Sequence, residues 1–64
     1  MSLRDMRQEK GLTIQALAEQ IGVSHVSIIH WEKGDRTPNG KYIAKLAEAL
    51  DKSVEEVLEG LKIS

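Results

Sequence analysis

The stretch Leu17-Ala18-Glu19-Gln20-Ile21-Gly22-Val23-Ser24-His25-Val26-Ser27-Ile28-Ile29-His30-Trp31 decides the fold. Leu17, Ala18 and Ile21 stand at i, i+1 and i+4, one face of a helix. Ile28 and Trp31 stand at i and i+3 on a second. Only Gly22, Val23 and Ser24 lie between the two. Gly22 permits a left-handed backbone and so a sharp turn, and Ser24 carries the side-chain oxygen an N-cap needs. Helices joined by so short a link must cross steeply, which is a helix-turn-helix arrangement. Ala18 is small where the second helix has to approach the first.

The same grammar extends outward. Thr13 caps the first of these helices, which runs to about Gln20 or Ile21, and Gly34 ends the second. Upstream, a segment from about Ser2 to Lys10 carries Leu3 and Met6 on one side and stops at Gly11. Downstream, Asn39 caps a helix with Ile43, Leu46, Ala47 and Leu50 at i, i+3, i+4 and i+7. Ser53 and Glu56 form a capping-box pattern ahead of a last helix with the stripe Val54, Val57, Leu58 and Leu61. No segment alternates with period two for long. The pattern predicts an all-α, compact five-helix bundle and one domain over 1–64, with Leu17, Ala18, Ile21, Ile28, Trp31, Ile43, Leu46, Leu50 and Val54 buried.

Composition narrows the function. With 64 residues, 41% of them apolar, there is material for one small core. The absence of cysteine excludes a disulfide framework, a thiolate zinc site and a thiol nucleophile, and points to a reducing compartment such as the cytoplasm. Apolar runs of two or three residues fit neither a membrane span nor a signal peptide. Trp31 and Tyr42 are the only aromatics, too few for a single-strand stacking platform. His25 and His30 lie about 140° apart around a helix and cannot chelate one ion together, so no metal is expected. No nucleophile–base–acid set and no phosphate-cradling glycine loop stands out, so neither an enzyme, a cofactor nor a small-molecule substrate is expected.

Charge is polarised along the chain although the net value is −1. Residues 1–45 hold seven basic against five acidic side chains, and 46–64 hold two against five. An anionic partner would therefore meet the first part, with the acidic end facing away.

Gly11-Leu12-Thr13, Leu17-Ala18, Ile21-Gly22-Val23-Ser24, Ile28 and Trp31-Glu32-Lys33-Gly34, followed by Arg36 and Pro38, resemble the Xre family of Cro and phage-repressor-like DNA-binding proteins. Ile43, Leu46-Ala47, Ala49-Leu50 and Ser53-Val54 continue the likeness in one register, over roughly Leu3 to Leu58. The resemblance implies a five-helix bundle whose third helix enters the major groove of double-stranded DNA. It also implies a transcription regulator, read here as a repressor, acting as a homodimer. It further implies an ion pair between Arg7 and Glu32, with Arg7 also able to touch a DNA phosphate.

With Ile28 and Trp31 inward, a recognition helix over about Ser24–Lys33 leaves His25, Val26, Ile29, His30 and Lys33 outward as base-contacting candidates. Ser24, Arg36, Thr37, Asn39 and Lys41 are the flanking phosphate candidates, since helix N-termini and basic side chains suit phosphate; Ser24 and Asn39 also read as helix caps. The sequence departs from the family pattern in two ways. Val26 and Ile29 are apolar where polar readers are usual, and Ile14 replaces the usual glutamine. The apolar pair suits thymine methyl groups. Alternatively it forms a hydrophobic patch for another protein, making the chain a protein-interaction module on the same fold. Leu61 and Ile63 extend the stripe of Val54, Val57 and Leu58 beyond what one small core needs, which makes Val57, Leu58, Leu61 and Ile63 the interface candidates. They are expected to form a symmetric dimer contact, the alternative being that the end folds back or frays.

Overall fold

The capping residues do what their side chains suggest. The computed structural model describes residues 1–63, with side chains described through residue 62. It holds α1 (Leu3–Glu9), α2 (Ile14–Ile21), α3 (His25–Lys33), α4 (Gly40–Leu50) and α5 (Val54–Ile63), and no strand among the described residues. The side chains of Ser2, Thr13, Ser24 and Asn39 accept from the backbone N–H three residues on, which satisfies donors the helix cannot. Ser53 and Glu56 close a reciprocal box at the start of α5, with Ser53 N–H donating to Glu56 Oε1 at 3.0 Å and Glu56 N–H donating to Ser53 Oγ at 3.1 Å. Glu56 is held below the ordinary carboxylate value of 4.5, first by the Ser53 backbone N–H and then by its hydroxyl. Asp51 ends α4 in the left-handed region at φ 56°, a conformation Asp tolerates better than most residues.

The core collects one face from each helix. Leu3, Met6, Leu17, Ala18, Ile21, Ile28, Trp31, Leu46, Ala47, Leu50 and Val57 are buried in one cluster. Seven of the nine predicted core residues are in it. Val54 is not: it is 43% exposed, and Ile43 is half-buried. Val54 is the first residue of α5, and side chains lean toward the helix N-terminus, so it projects past the end of the core. Val57, one turn on, reaches the core in its place and is fully enclosed. Leu3 and Met6, enclosed at 0% and 1% exposure, make α1 part of the core.

Helix α5 packs against both α4 and α1. Gly60 makes the second contact close: a Cβ there would run into the end of the Met6 side chain and come within 2.9 Å of the Met1 carbonyl oxygen. Lys52 ties the loop before α5 to the end of α1, its Nζ 2.8 Å from Glu9 Oε1. That hydrogen bond is the main reason the Lys52 ammonium is held above its ordinary value of 10.5.

Candidate nucleic-acid interface

Gly22 places α3. It sits at φ 87° and donates to the Ala18 carbonyl at 2.8 Å, and Val23 N–H donates to the same oxygen at 3.0 Å. This left-handed end reverses the chain within the space of the linker. α3 then lies on α2, with Ile28 and Trp31 inward at 0% and 6% exposure. The Trp31 ring packs on Tyr42 of α4, centroids 5.8 Å apart, which fixes the far end of α3.

The side chains left outward divide into two groups. His25, Val26 and Lys33 are open to solvent, Val26 at 47%. Ile29 and His30 are half-buried. His30 turns toward the loop, its Nδ1 3.3 Å from Asp35 Oδ2. Ile29 lines a groove of about 290 Å3 together with Arg4, Arg7, Ile14, Glu32 and Lys33. Two of the three departing residues thus line one groove: Ile14, in the position of the usual glutamine, and Ile29. A protein-docking patch built on Val26 and Ile29 would therefore have only Val26 fully available.

At the base of that groove Arg7 Nε lies 2.6 Å from Glu32 Oε2, and Arg7 Nη1 donates to the Leu12 carbonyl at 2.8 Å. Arg7 is 8% exposed. Its guanidinium joins α1, α3 and the turn before α2, so little of it is left open at the groove for the phosphate contact expected beside the ion pair. Arg4, one turn earlier on the same face and exposed, is the cation that sequence reading missed. Its i, i+3 spacing from Arg7 was the available signal.

The remaining phosphate candidates, Ser24, Arg36, Thr37, Asn39 and Lys41, are all exposed. They fall at the start of α3, in the loop after it and at the start of α4. Ser24 and Asn39 are also caps, receiving Ser27 N–H at 3.4 Å and Tyr42 N–H at 3.1 Å. Lys41 Nζ sits 5.7 Å from the Tyr42 ring centroid. Larger than the α1–α3 groove is an open one of about 510 Å3 between Lys10, Gln20, Lys45, Glu48 and Ala49, which holds none of these residues. No group of three His, Cys, Asp or Glu among the described residues could hold a metal ion.

The dimer candidates lie on α5. Val57 is enclosed in the chain's own core and has no surface to offer a second copy, which corrects that expectation. Leu58 is 39% exposed, and Leu61 is half-buried against the core. The side chain of Ile63 lies outside the described residues.

A family model described as helix-turn-helix matches residues 3–57, nearly the whole of the folded bundle. The chain belongs to the helix-turn-helix family. This bears out its resemblance to the Cro and phage-repressor-like proteins and the all-α fold. Its relatives include Repressor protein C2 of Salmonella phage P22, 34% identical over 91% of this chain and 27% of that protein. Another is the HTH-type transcriptional regulator DicA of Escherichia coli K12, 36% identical over 91% of this chain and 43% of that protein. This helix-turn-helix chain thus spans less than half the length of either relative. The solution structure of the DNA-binding domain of the P22 C2 repressor superposes with a TM-score of 0.84 at 34% identity, covering 91% of this chain and 76% of that one.

Proposed function

We propose that this helix-turn-helix chain binds double-stranded DNA sequence-specifically, with α3 in the major groove, and acts as a transcriptional regulator, specifically a repressor. The observation that carries the reading is the placement of α3. Ile28 and Trp31 anchor it to the bundle, His25, Val26 and Lys33 remain open, and the whole matches a solved repressor DNA-binding domain. An α-helix fits the major groove, and its open side chains there meet base edges.

On this reading His25 donates to a base acceptor or phosphate, Val26 packs on a thymine methyl, and Lys33 reaches a base edge or phosphate. Ile29 supports Val26 from the groove wall. Arg36, Thr37, Asn39 and Lys41 hold the backbone on one flank and Ser24 on the other, and Arg4 is added to them. Two copies, meeting through Leu58 and Leu61 on α5, would present two α3 helices to half-sites about 34 Å apart. The site of action is the cytoplasm, and no described helix is long and apolar enough to cross a membrane. No catalytic step, cofactor or metal enters the reading.

Selection of duplexes from a random pool tests it. A recovered consensus is expected, with roughly palindromic halves. Affinity for random duplex should fall with salt at a log–log slope of about −0.9 per phosphate neutralised. Failure to bind any duplex at low salt overturns the proposal. Sedimentation of the chain alone and on a two-half-site duplex decides the dimer.

A further inference from the structure

His30 and Asp35 meet at the C-terminal end of α3, with His30 Nδ1 3.3 Å from Asp35 Oδ2. An ionised carboxylate has no proton to give, so the hydrogen in this contact sits on Nδ1. In a neutral imidazole the other nitrogen, Nε2, is then a lone pair and accepts. The backbone holds the two residues in register: Asp35 N–H donates to the His30 carbonyl at 3.1 Å, and Gly34 N–H donates to the same oxygen at 3.0 Å. The carboxylate thus comes from a residue already tied to the histidine it meets. The His30 side chain keeps 32% of its surface exposed, so the ring is steadied without being sealed off.

A negative charge at this point works against a polyanionic partner. Lys33, one turn on from His30, and Arg36, next to Asp35, are the cations nearest in sequence, and neither is paired with Asp35 in a salt bridge among the described residues. We propose that Asp35 is a positioning residue that makes His30 a hydrogen-bond acceptor, so that this end of α3 selects an amino-bearing base edge. The groups of that class in the major groove are adenine N6 and cytosine N4. This inference rests on α3 being the major-groove helix. It gives His30, one of the base-contacting candidates, the part of an acceptor. Without Asp35 the proton is free to move to Nε2, and the same ring then suits guanine N7 or O6, or thymine O4.

Two measurements on the 64-residue chain test it. Nitrogen-15 NMR of the histidine ring at about pH 8.5, well above the usual imidazole value, is expected to show the hydrogen of His30 on Nδ1. It should move toward Nε2 in Asp35→Ala. Duplex selection is then run with the parent, Asp35→Ala and His30→Ala. The parent should favour A or C at one position by about threefold to tenfold, the worth of a single hydrogen bond. Asp35→Ala should shift that position toward G or T and tighten binding to random duplex, and His30→Ala should flatten it. An Nε2-bound hydrogen in the parent overturns the proposal, as does an Asp35→Ala consensus identical to the parent's at every position. If the tautomer is as expected and none of the three proteins binds any duplex, the DNA reading itself falls and takes the base selection with it.

Discussion

Arg7 Nε stands 2.6 Å from Glu32 Oε2, and each side chain is only 10% exposed. The pair joins two residues 25 positions apart and links α1 to the last turn of α3. Removing one partner leaves a charge that cannot rehydrate, and that loss outweighs the modest net worth of the intact pair. Arg7→Ala is expected to destabilise by about 3–5 kcal/mol. Arg7→Met combined with Glu32→Leu should recover most of it, because no unpaired charge remains. Urea melts of Arg7→Met, Glu32→Leu and the double give the answer; additive losses would show that the pair is not acting as a unit.

Gly60 is the one helical glycine pressed against another element. Alanine would gain about 1 kcal/mol of helix propensity over glycine. Against that, its Cβ would lie 2.9 Å from the Met1 carbonyl oxygen and 3.2 Å from Leu3 N, both backbone atoms, as well as meeting the Met6 side chain. Overpacking costs typically 1–3 kcal/mol, so the clash wins. Gly60→Ala is expected to lower the denaturation midpoint, whereas Gly40→Ala, whose Cβ meets nothing within 4 Å, should not lower it through any clash.

The helix boundaries were legible because caps are short-range: Thr13, Ser24 and Asn39 each need only the next three residues to act. So was the α2–α3 turn, because Gly22 leaves the chain little choice. Less legible was anything set by a neighbour distant in sequence. Val54 and Val57 share a stripe, but Val54, first in α5, projects past the core that encloses Val57. Ile29 looked like an open reader on the helical wheel, and Ile14 makes it part of a wall. The Asp35 contact to His30 was not legible because it crosses Gly34, where helical periodicity no longer applies.

Glu56 gives stability a dependence on acid. Its folded value is lowered by the Ser53 backbone N–H and hydroxyl, so the folded state binds its proton more weakly than the unfolded chain does. The contribution is therefore complete above the ordinary value of 4.5 and is lost as pH falls through the lower folded value. Glu56→Gln should flatten the parent's loss of stability in that acid window and leave the curve's shape near neutrality alone. Ser53→Ala should cost about 1 kcal/mol at pH 7 by removing the cap. Denaturation midpoints between pH 3 and 7 check both; a Glu56→Gln curve parallel to the parent's throughout would place the acid sensitivity elsewhere.

Val26 and Ile29 were equal candidates for reading thymine, and their surroundings separate them. Val26 is 47% exposed on α3, whereas Ile29 lines the groove with Ile14. A side chain can bury a thymine methyl only with surface it has not already spent on its own protein. Val26→Ala should therefore erase most of the preference for thymine over uracil at the contacted position, a difference of about 1 kcal/mol for one buried methyl group. Its effect on folding should stay within about 0.5 kcal/mol, as for other exposed positions. Ile29→Ala should show the opposite pattern. It loses apolar contact on the α1–α3 wall, which should cost stability by about 1–2 kcal/mol, less than the full price of emptying a core site, while leaving the thymine-to-uracil difference largely intact. Paired measurements of duplex affinity and urea midpoint on the two variants resolve the roles. If Ile29→Ala abolishes the difference and Val26→Ala preserves it, the methyl is read from the groove wall, and α3 must sit in the major groove rotated toward α1.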